Sequence, residues 1–250
     1  YNRNDNHVLY LTDTHEKIDL FEDAGIDMAV FEDFDIVKDY SPDRFVSEVL
    51  IEKLNCVTAI CGFNFHFGKN GAGTADTLAK LMAEHGRDCI IVPPVMYDGE
   101  TVSSSRIRNL IAHGNMEYVR ILLGRPFCVN LTVISGNRIG RTLGMPTINQ
   151  IFPERHIIPS NGIYCTRCNI DGKVYDCVTN IGTRPTIQDG DMNIVCETHI
   201  IGYDGNLYGR EICVEFYKKL RDEIKFNSLD ELKDAIINDI KEAGDYFKNV

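Results

Sequence analysis

The chain has no tryptophan, no apolar run approaching the ~18–20 residues of a membrane span, and no basic stretch leading into an apolar one at its start. Neither a transmembrane helix nor a secretory signal is therefore expected. Positive charge is also scarce: 26 Lys+Arg against 37 Asp+Glu leave a net charge of −11 and a pI near 5.1. Such a balance argues against a protein that holds nucleic acid by neutralising phosphates. An acidic protein that handles phosphates needs a metal ion or local backbone donors to offset its own field. A disulfide scaffold is excluded as well, because nine cysteines is an odd number and 250 residues is a long chain. Cys165-x-x-Cys168 looks like half a zinc site, but it sits in the strand-like run Gly162–Ile170. Residues three apart on a strand point to opposite faces, and no second close pair or His-x3-His supports a metal. Reduced thiols and a cytoplasmic location are expected.

What is present falls into two styles. At 250 residues, one to two domains are expected. The first half alternates helices and strands. Asp13-Thr-His-Glu16 caps a helix stopped by Gly25, and Ser41-Pro42 starts another with Phe45, Val46, Val49 and Leu50 as its apolar stripe. Met28–Phe31, Val57–Cys61 and Cys89–Val92 read as strands, and a helix pair follows at Ser105–His113 and Met116–Leu123. This alternation predicts a parallel, doubly wound α/β sheet. After Gly124-Arg-Pro126 the pattern becomes all-β: Phe127–Ser135, Gly162–Ile170, Val174–Ile181, Ile194–Ile201 and Glu211–Phe216. Turns at Asp171-Gly172, Asp189-Gly190 and Asp204-Gly205 fit an antiparallel barrel or sandwich. A last helix begins at Ser228-x-x-Glu231, with Leu229, Leu232, Ile236 and Ile240 on one face. The expected domains are 1–123 and 124–250.

The segment Gly136-Asn-Arg-Ile-Gly-Arg-Thr-Leu-Gly-Met-Pro-Thr-Ile-Asn149 carries most of the chemistry. Gly136, Gly140 and Gly144 let backbone amides come close to a polyanion, and Arg138 and Arg141 add charge beside Thr142. On an extended segment Thr147 and Asn149 share a face, and their hard oxygens suit Mg²⁺ carrying nucleotide phosphates. Spacing alone leaves a glycine-rich structural hairpin equally open.

Gly140-Arg-Thr-Leu-Gly-Met-Pro-Thr-Ile-Asn149 resembles the signature of the riboflavin kinase family, whose motif ends in Pro-Thr-Ala-Asn. Further pieces follow in that family's order: Asn161-Gly-Ile-Tyr164, Asn180-Ile-Gly-Thr-Arg-Pro-Thr186, Cys196-Glu-Thr-His199, Leu207-Tyr-Gly-Arg-Glu-Ile212, and Leu220-Arg221 leading to Phe226-x-Ser-Leu229. The resemblance implies a six-stranded antiparallel barrel that phosphorylates riboflavin to FMN with ATP. It implies Mg²⁺ at Thr147 and Asn149, ATP held by Gly136 to Thr147, Glu197 as general base, and Arg221 and Glu223 near the flavin. A base, a metal and a phosphate loop suffice for phosphoryl transfer, which rests on positioning and charge neutralisation. Without the resemblance, Glu197 reads as a solvated surface carboxylate. Arg184 either approaches a phosphate or braces its loop. His199, on the same strand face as Glu197, reads as packing or as a partner to a ligand.

The first half resembles the adenylyltransferase module fused to bacterial riboflavin kinases, which converts FMN to FAD on a Rossmann-like nucleotidyltransferase fold. Cys61-Gly-Phe-Asn-Phe-His-Phe-Gly-Lys69 and Val102-Ser-Ser-Ser-Arg-Ile-Arg108 carry the likeness. It places the nucleotide at Gly62, Asn64, Phe65, Ser103, Ser104, Arg106 and Arg108. Serines that cap a helix whose free N–H groups attract phosphate give the second segment a physical basis, although an ordinary capped helix has the same pattern. The family's His-x-Gly-His motif is not found among the seven histidines, and the chain begins at Tyr1. The expectation is an adenylyltransferase domain lacking its N-terminal segment, weak in the chain as it stands and active in the intact protein. Small molecules (riboflavin, FMN, ATP) are the expected partners, with no nucleic acid and no membrane, and the oligomeric state is not legible. A non-catalytic flavin- or nucleotide-binding module is the alternative, distinguished by whether Glu197, Thr147 and Asn149 are all used. An oligonucleotide-binding barrel is disfavoured by the acidic pI and the lack of Trp.

Overall fold

The computed structural model describes residues 9–136, 140, 143–153, 155–185 and 192–250, the side chains of 184, 185, 192 and 193 excepted. The described residues divide into two compact units, one holding 18–102 and the other 9–17 with those from 103 onward. The helix pair after Val102 falls in the second unit, its second helix packing on the strands that follow.

In the first unit, Ser41 accepts a hydrogen bond from the Arg44 amide at 3.2 Å and opens a short helix, Pro42–Arg44, that continues as a π-helix over Phe45–Lys53. Two parallel strands pair, β1 (Thr58–Gly62) and β2 (Asp88–Val92), joined through helix α1 (Ala75–Glu84). Ala59 on β1 and Leu78, Leu81 and Met82 on α1 form a small core with Val46 and Phe67. The other face of the pair is bare, with Ile60 67% and Ile90 52% exposed at opposing positions. Met28-Ala-Val-Phe31, expected as a strand, has no regular structure and is exposed, since no described strand lies alongside to take its backbone groups.

The second unit starts its barrel after α2 (Ser104–Ala112) and α3 (Met116–Leu123), the latter ended by Gly124 in the left-handed region at φ 71°. Six strands follow: β3 (Phe127–Thr132), β4 (Thr147–Ile151), β5 (Gly162–Ile170), β6 (Lys173–Pro185), β7 (Met192–Ile200) and β8 (Glu211–Arg221). They pair antiparallel in the order β3-β8-β5-β6-β7-β4. The two ends meet at the bridge Ile134–Asn149, where the Ile134 amide donates to the Asn149 carbonyl at 2.8 Å. The buried Gln150 side chain reinforces this closure by donating to the carbonyls of Leu131 at 2.6 Å and Ile212 at 2.9 Å.

Alternation on β5 sorts the two faces. Tyr164, Thr166 and Cys168 point inward, where the Thr166, Thr179 and Thr198 hydroxyls form a chain with 2.7 and 2.8 Å links. Ile163 and Cys165 point outward and pack with Ala243 and Phe247 of the C-terminal helix α4 (Leu229–Phe247). Cys165 and Cys168 thus diverge as expected, and all nine cysteines are free. Ser228 caps α4 by accepting from the Glu231 amide at 3.2 Å. Leu229, expected on the packed face, is exposed, because burial along α4 runs through Asp239, Ala243 and Phe247.

Candidate active site

The outer face of the sheet continues past the helix-covered patch into a cavity of about 270 Å³. Register builds its polar wall. Glu197 on β7 lies directly opposite Asn149 on β4 and Asn180 on β6, and His199 lies opposite Thr147. Opposed residues in an antiparallel pair share a face, so Thr147, Asn149, Asn180, Glu197 and His199 project to one side. All but Asn149 line the cavity, and Asn149 is itself buried, at 5% exposure. His199 Nδ1 sits 2.9 Å from the Pro146 carbonyl, which only accepts, so Nδ1 carries a proton there.

The opposite wall comes from the end of β8 and from α4. Bulges between Phe216 and Lys218 and between Lys219 and Arg221 re-aim the strand, leaving Arg221 opposite Ile163. Arg221 donates from Nε and Nη2 to the two carboxylate oxygens of Asp239 at 2.9 and 2.7 Å. The carboxylate is buried, and the fork-to-fork geometry satisfies it. Glu223 accepts from Asn161 Nδ2 at 3.3 Å and rests against Gly182, where any Cβ would run into its carboxylate. Ile224, Phe226, Leu232 and Ile236 make the rest of this wall apolar.

The glycine segment adjoins Thr147. At Gly136 a Cβ would collide with the Asn149 side-chain amide, so only glycine lets that amide take its place. Gly140 lines the cavity, its carbonyl accepts from the Met145 amide at 2.8 Å, and Gly144 turns at φ +78°. Arg138, Arg141 and Thr142 lie outside the described residues, as does the Arg184 side chain.

A second cavity of about 450 Å³ is lined by Pro146, Ile148, Thr198, Tyr203 and Tyr208. Ile148 and Thr198 are the inward neighbours of Thr147, Glu197 and His199, so this space opens on the other face of the β4–β7 pair. Thr147 lines both cavities. Gly205 leaves room for the Tyr203 hydroxyl, which a Cβ would strike at 2.5 Å.

The residues expected to bind a nucleotide in the first half are placed by their own local structure. Gly62 ends β1, and its carbonyl accepts from the Phe65 amide at 3.0 Å, with Phe65 stacked on Phe67 at 5.5 Å. Ser103 caps α2 and Ser104 begins it, but both belong to the second compact unit, as do Arg106 and Arg108. Arg106 donates to the Tyr118 hydroxyl at 3.1 Å and Arg108 to the Leu9 carbonyl at 2.6 Å.

Asp239 escaped the sequence reading, and Asn180 and Phe226, quoted there within motifs, were given no role in a site. Asp239 carried a usable signal, an acid on the packed side of an amphipathic helix, which demands a cation. Among the described residues no cluster of three or more His, Cys, Asp or Glu could hold a metal ion. The hydroxyl of Thr147 and the amide oxygen of Asn149, beside the Glu197 carboxylate, are a hard-oxygen set that fits Mg²⁺ sharing its remaining positions with phosphate and water.

Residues 123–247 match the family model described as riboflavin kinase, and residues 1–106 the one described as FAD synthetase. The bifunctional riboflavin kinase/FMN adenylyltransferase of Bacillus subtilis is 33% identical over 242 residues, covering 96% of this chain and 76% of the relative. The corresponding protein of Haemophilus influenzae is 34% identical over 239 residues, with 94% and 76% covered. That of Escherichia coli K12 is 33% identical over 239 residues, with 95% and 75% covered. A crystal structure of a Streptococcus pneumoniae protein described as a macrolide-efflux protein superposes with a TM-score of 0.83 at 28% identity, over 93% of this chain and 75% of that one. Among the described residues here, no helix is long and apolar enough to cross a membrane.

Proposed function

Because the chain belongs to the bifunctional riboflavin kinase/FMN adenylyltransferase family, we propose that its barrel, residues 124–250, transfers the γ-phosphoryl group of ATP to the terminal ribityl hydroxyl of riboflavin. Residues 1–123 belong to the second activity, adenylylation of FMN to FAD.

One observation carries the kinase reading: Glu197 and Thr147 line one cavity from adjacent strands, with Asn149 directly opposite Glu197 and an apolar wall across from them. Riboflavin has the matching shape, a flat apolar ring with a polyol tail. The ring lies against Ile224, Phe226, Leu232 and Ile236, and the tail points to Glu197. The cavity on the other face takes ATP, its base among Tyr203, Tyr208 and Pro146, and the phosphates reach the shared residue Thr147. Glu197 accepts the proton of the ribityl hydroxyl as that oxygen attacks the γ-phosphorus in line with the departing ADP oxygen. Arg221, locked to Asp239, keeps the rim of the flavin cavity in place. Mg²⁺ held by Thr147 and Asn149 supplies the charge neutralisation that an acidic protein cannot. The nine free thiols and the acidic pI favour a cytoplasmic enzyme of small molecules rather than of nucleic acids.

A non-catalytic flavin carrier needs the apolar wall but no carboxylate opposite a metal-binding amide. Incubation with riboflavin, ATP and Mg²⁺ is expected to give FMN and ADP in equal amounts by chromatography. A folded chain that binds riboflavin yet forms neither product would favour the carrier.

A further inference from the structure

Asn180 is the member of the polar row that no role above uses. It lies directly across from Glu197, with the cavity beside it, and its neighbour on the other strand is Ile163. Its Oδ1 is fully buried and accepts no hydrogen bond among the described residues. Native proteins rarely bury an amide oxygen without a donor, and the exceptions gather where a ligand supplies one. The nearby groups are already committed: the Arg221 fork holds Asp239, Asn161 holds Glu223, and His199 Nδ1 holds the Pro146 carbonyl. Gln150 Oε1 is buried and unpaired as well but lines neither cavity, whereas Asn180 does line one, so whatever fills that cavity is placed to supply the partner.

Resting on the kinase reading, we infer that Asn180 is a specificity-determining residue whose amide pairs with the hydroxyls of the substrate's polyol chain next to the one that reacts. The chemistry selects this class. A carboxamide offers a donor and an acceptor together, and so does every hydroxyl of a polyol, whereas an ionised phosphate has no proton to give the Oδ1 acceptor; a metal ion would also satisfy that oxygen, and the Mg²⁺ arm of the experiment below separates the two. Position selects the place along the substrate. Cross-strand partners hold their Cβ atoms ~4.5–5.5 Å apart, so a tail whose end meets Glu197 passes Asn180 with its next hydroxyls.

Lumiflavin, with the same ring and a methyl group in place of the ribityl chain, separates ring from tail. Binding of riboflavin and of lumiflavin is measured by flavin fluorescence quenching for the wild-type chain, Asn180→Leu and Asn180→Ala. The expected result is a loss of about 10-fold for riboflavin, the worth of a buried hydrogen bond, with lumiflavin unchanged. The KM for ATP and the Mg²⁺ requirement should stay put, and thermal unfolding of Asn180→Leu should not fall, because an orphaned acceptor has been removed. An equal loss for both flavins, no loss for either, or an effect confined to ATP or Mg²⁺ overturns the inference. A wild-type chain that forms no FMN counts against the kinase reading, while the ratio of the two flavin affinities still decides the contact.

Discussion

The barrel and the parallel pair of the first unit are made from similar sequence signals, yet in the barrel the strand register gathers the candidate residues around one cavity. Both have strands and helices capped by a serine or threonine side chain. In the barrel, the outer sheet face is covered by α4 over part of its width and left open over the rest, and the open part is the cavity. In the first unit, α1 covers one face of β1 and β2, and Ile60 and Ile90 remain exposed on the other. A motif becomes a site when strand register brings its residues to one face. Thr147, Asn149 and Glu197 meet through a single strand pair.

The sharpest way to break this contrast is at Glu197. Glu197→Gln keeps the shape and removes the proton acceptor, so kcat for FMN formation should fall by roughly 10²–10⁴-fold with riboflavin KM little changed. The same change leaves residues 18–102 untouched. A kcat within a few-fold of wild type would mean that the row opposite Asn149 is not the catalytic one.

Much of that row was legible beforehand. Period-two alternation placed Thr147 and Asn149 on one face, and the resemblance supplied Glu197. What the sequence could not give was which strand lies beside which. Thr147–Ile151 is the strand least visible as such, a proline-led polar run that becomes a barrel edge because Gln150 ties it to Leu131 and Ile212. Asn180 gained meaning only once β6 was paired with β7, and Asp239 only once α4 was seated so that Arg221 met it. In the first half, Met28–Phe31 has the composition of a strand but no described neighbour, and propensity alone does not hold an unpaired segment extended.

The second prediction tests the rigidity of the site. Arg221→Met leaves the Asp239 carboxylate buried without its partner, which should destabilise the barrel by about 2–3 kcal/mol, below the ~3–5 kcal/mol of a fully buried pair because Arg221 is partly exposed. Hydrogen exchange should quicken in β5, β6 and β8 and not in β1 and β2. Uniform loss of protection across both units would show that they unfold as one body.

Alkali should discriminate between the units more gently. Burial pushes the thiols of Cys165 and Cys196 and the hydroxyls of Tyr164 and Tyr217 up to about 12, and all four are in the barrel. Each stays protonated when folded and ionises at its ordinary value when unfolded. The unfolded state therefore holds fewer protons between those values, and stability falls as pH rises. The contribution is fully present below the ordinary thiol range and is lost progressively toward pH 12. Denaturant midpoints for the barrel should drop between pH 9 and 11, and a midpoint that rises or stays flat would contradict buried, neutral thiols.

The smallest expected effect lies on the bare face of the parallel pair. Ile60→Thr keeps the β-branched shape that suits a strand while trading an exposed apolar group for a polar one. With 67% of Ile60 already in water, the change should move stability by no more than about 0.5 kcal/mol. The outward position Val178 on β6 offers the matched control, since it is buried against α4, and Val178→Thr there places a hydroxyl in an apolar cluster. That substitution should cost about 1–3 kcal/mol. If the two prove equally damaging, Ile60 is covered in solution, and the difference between the two units lies in what packs against them rather than in the strands themselves.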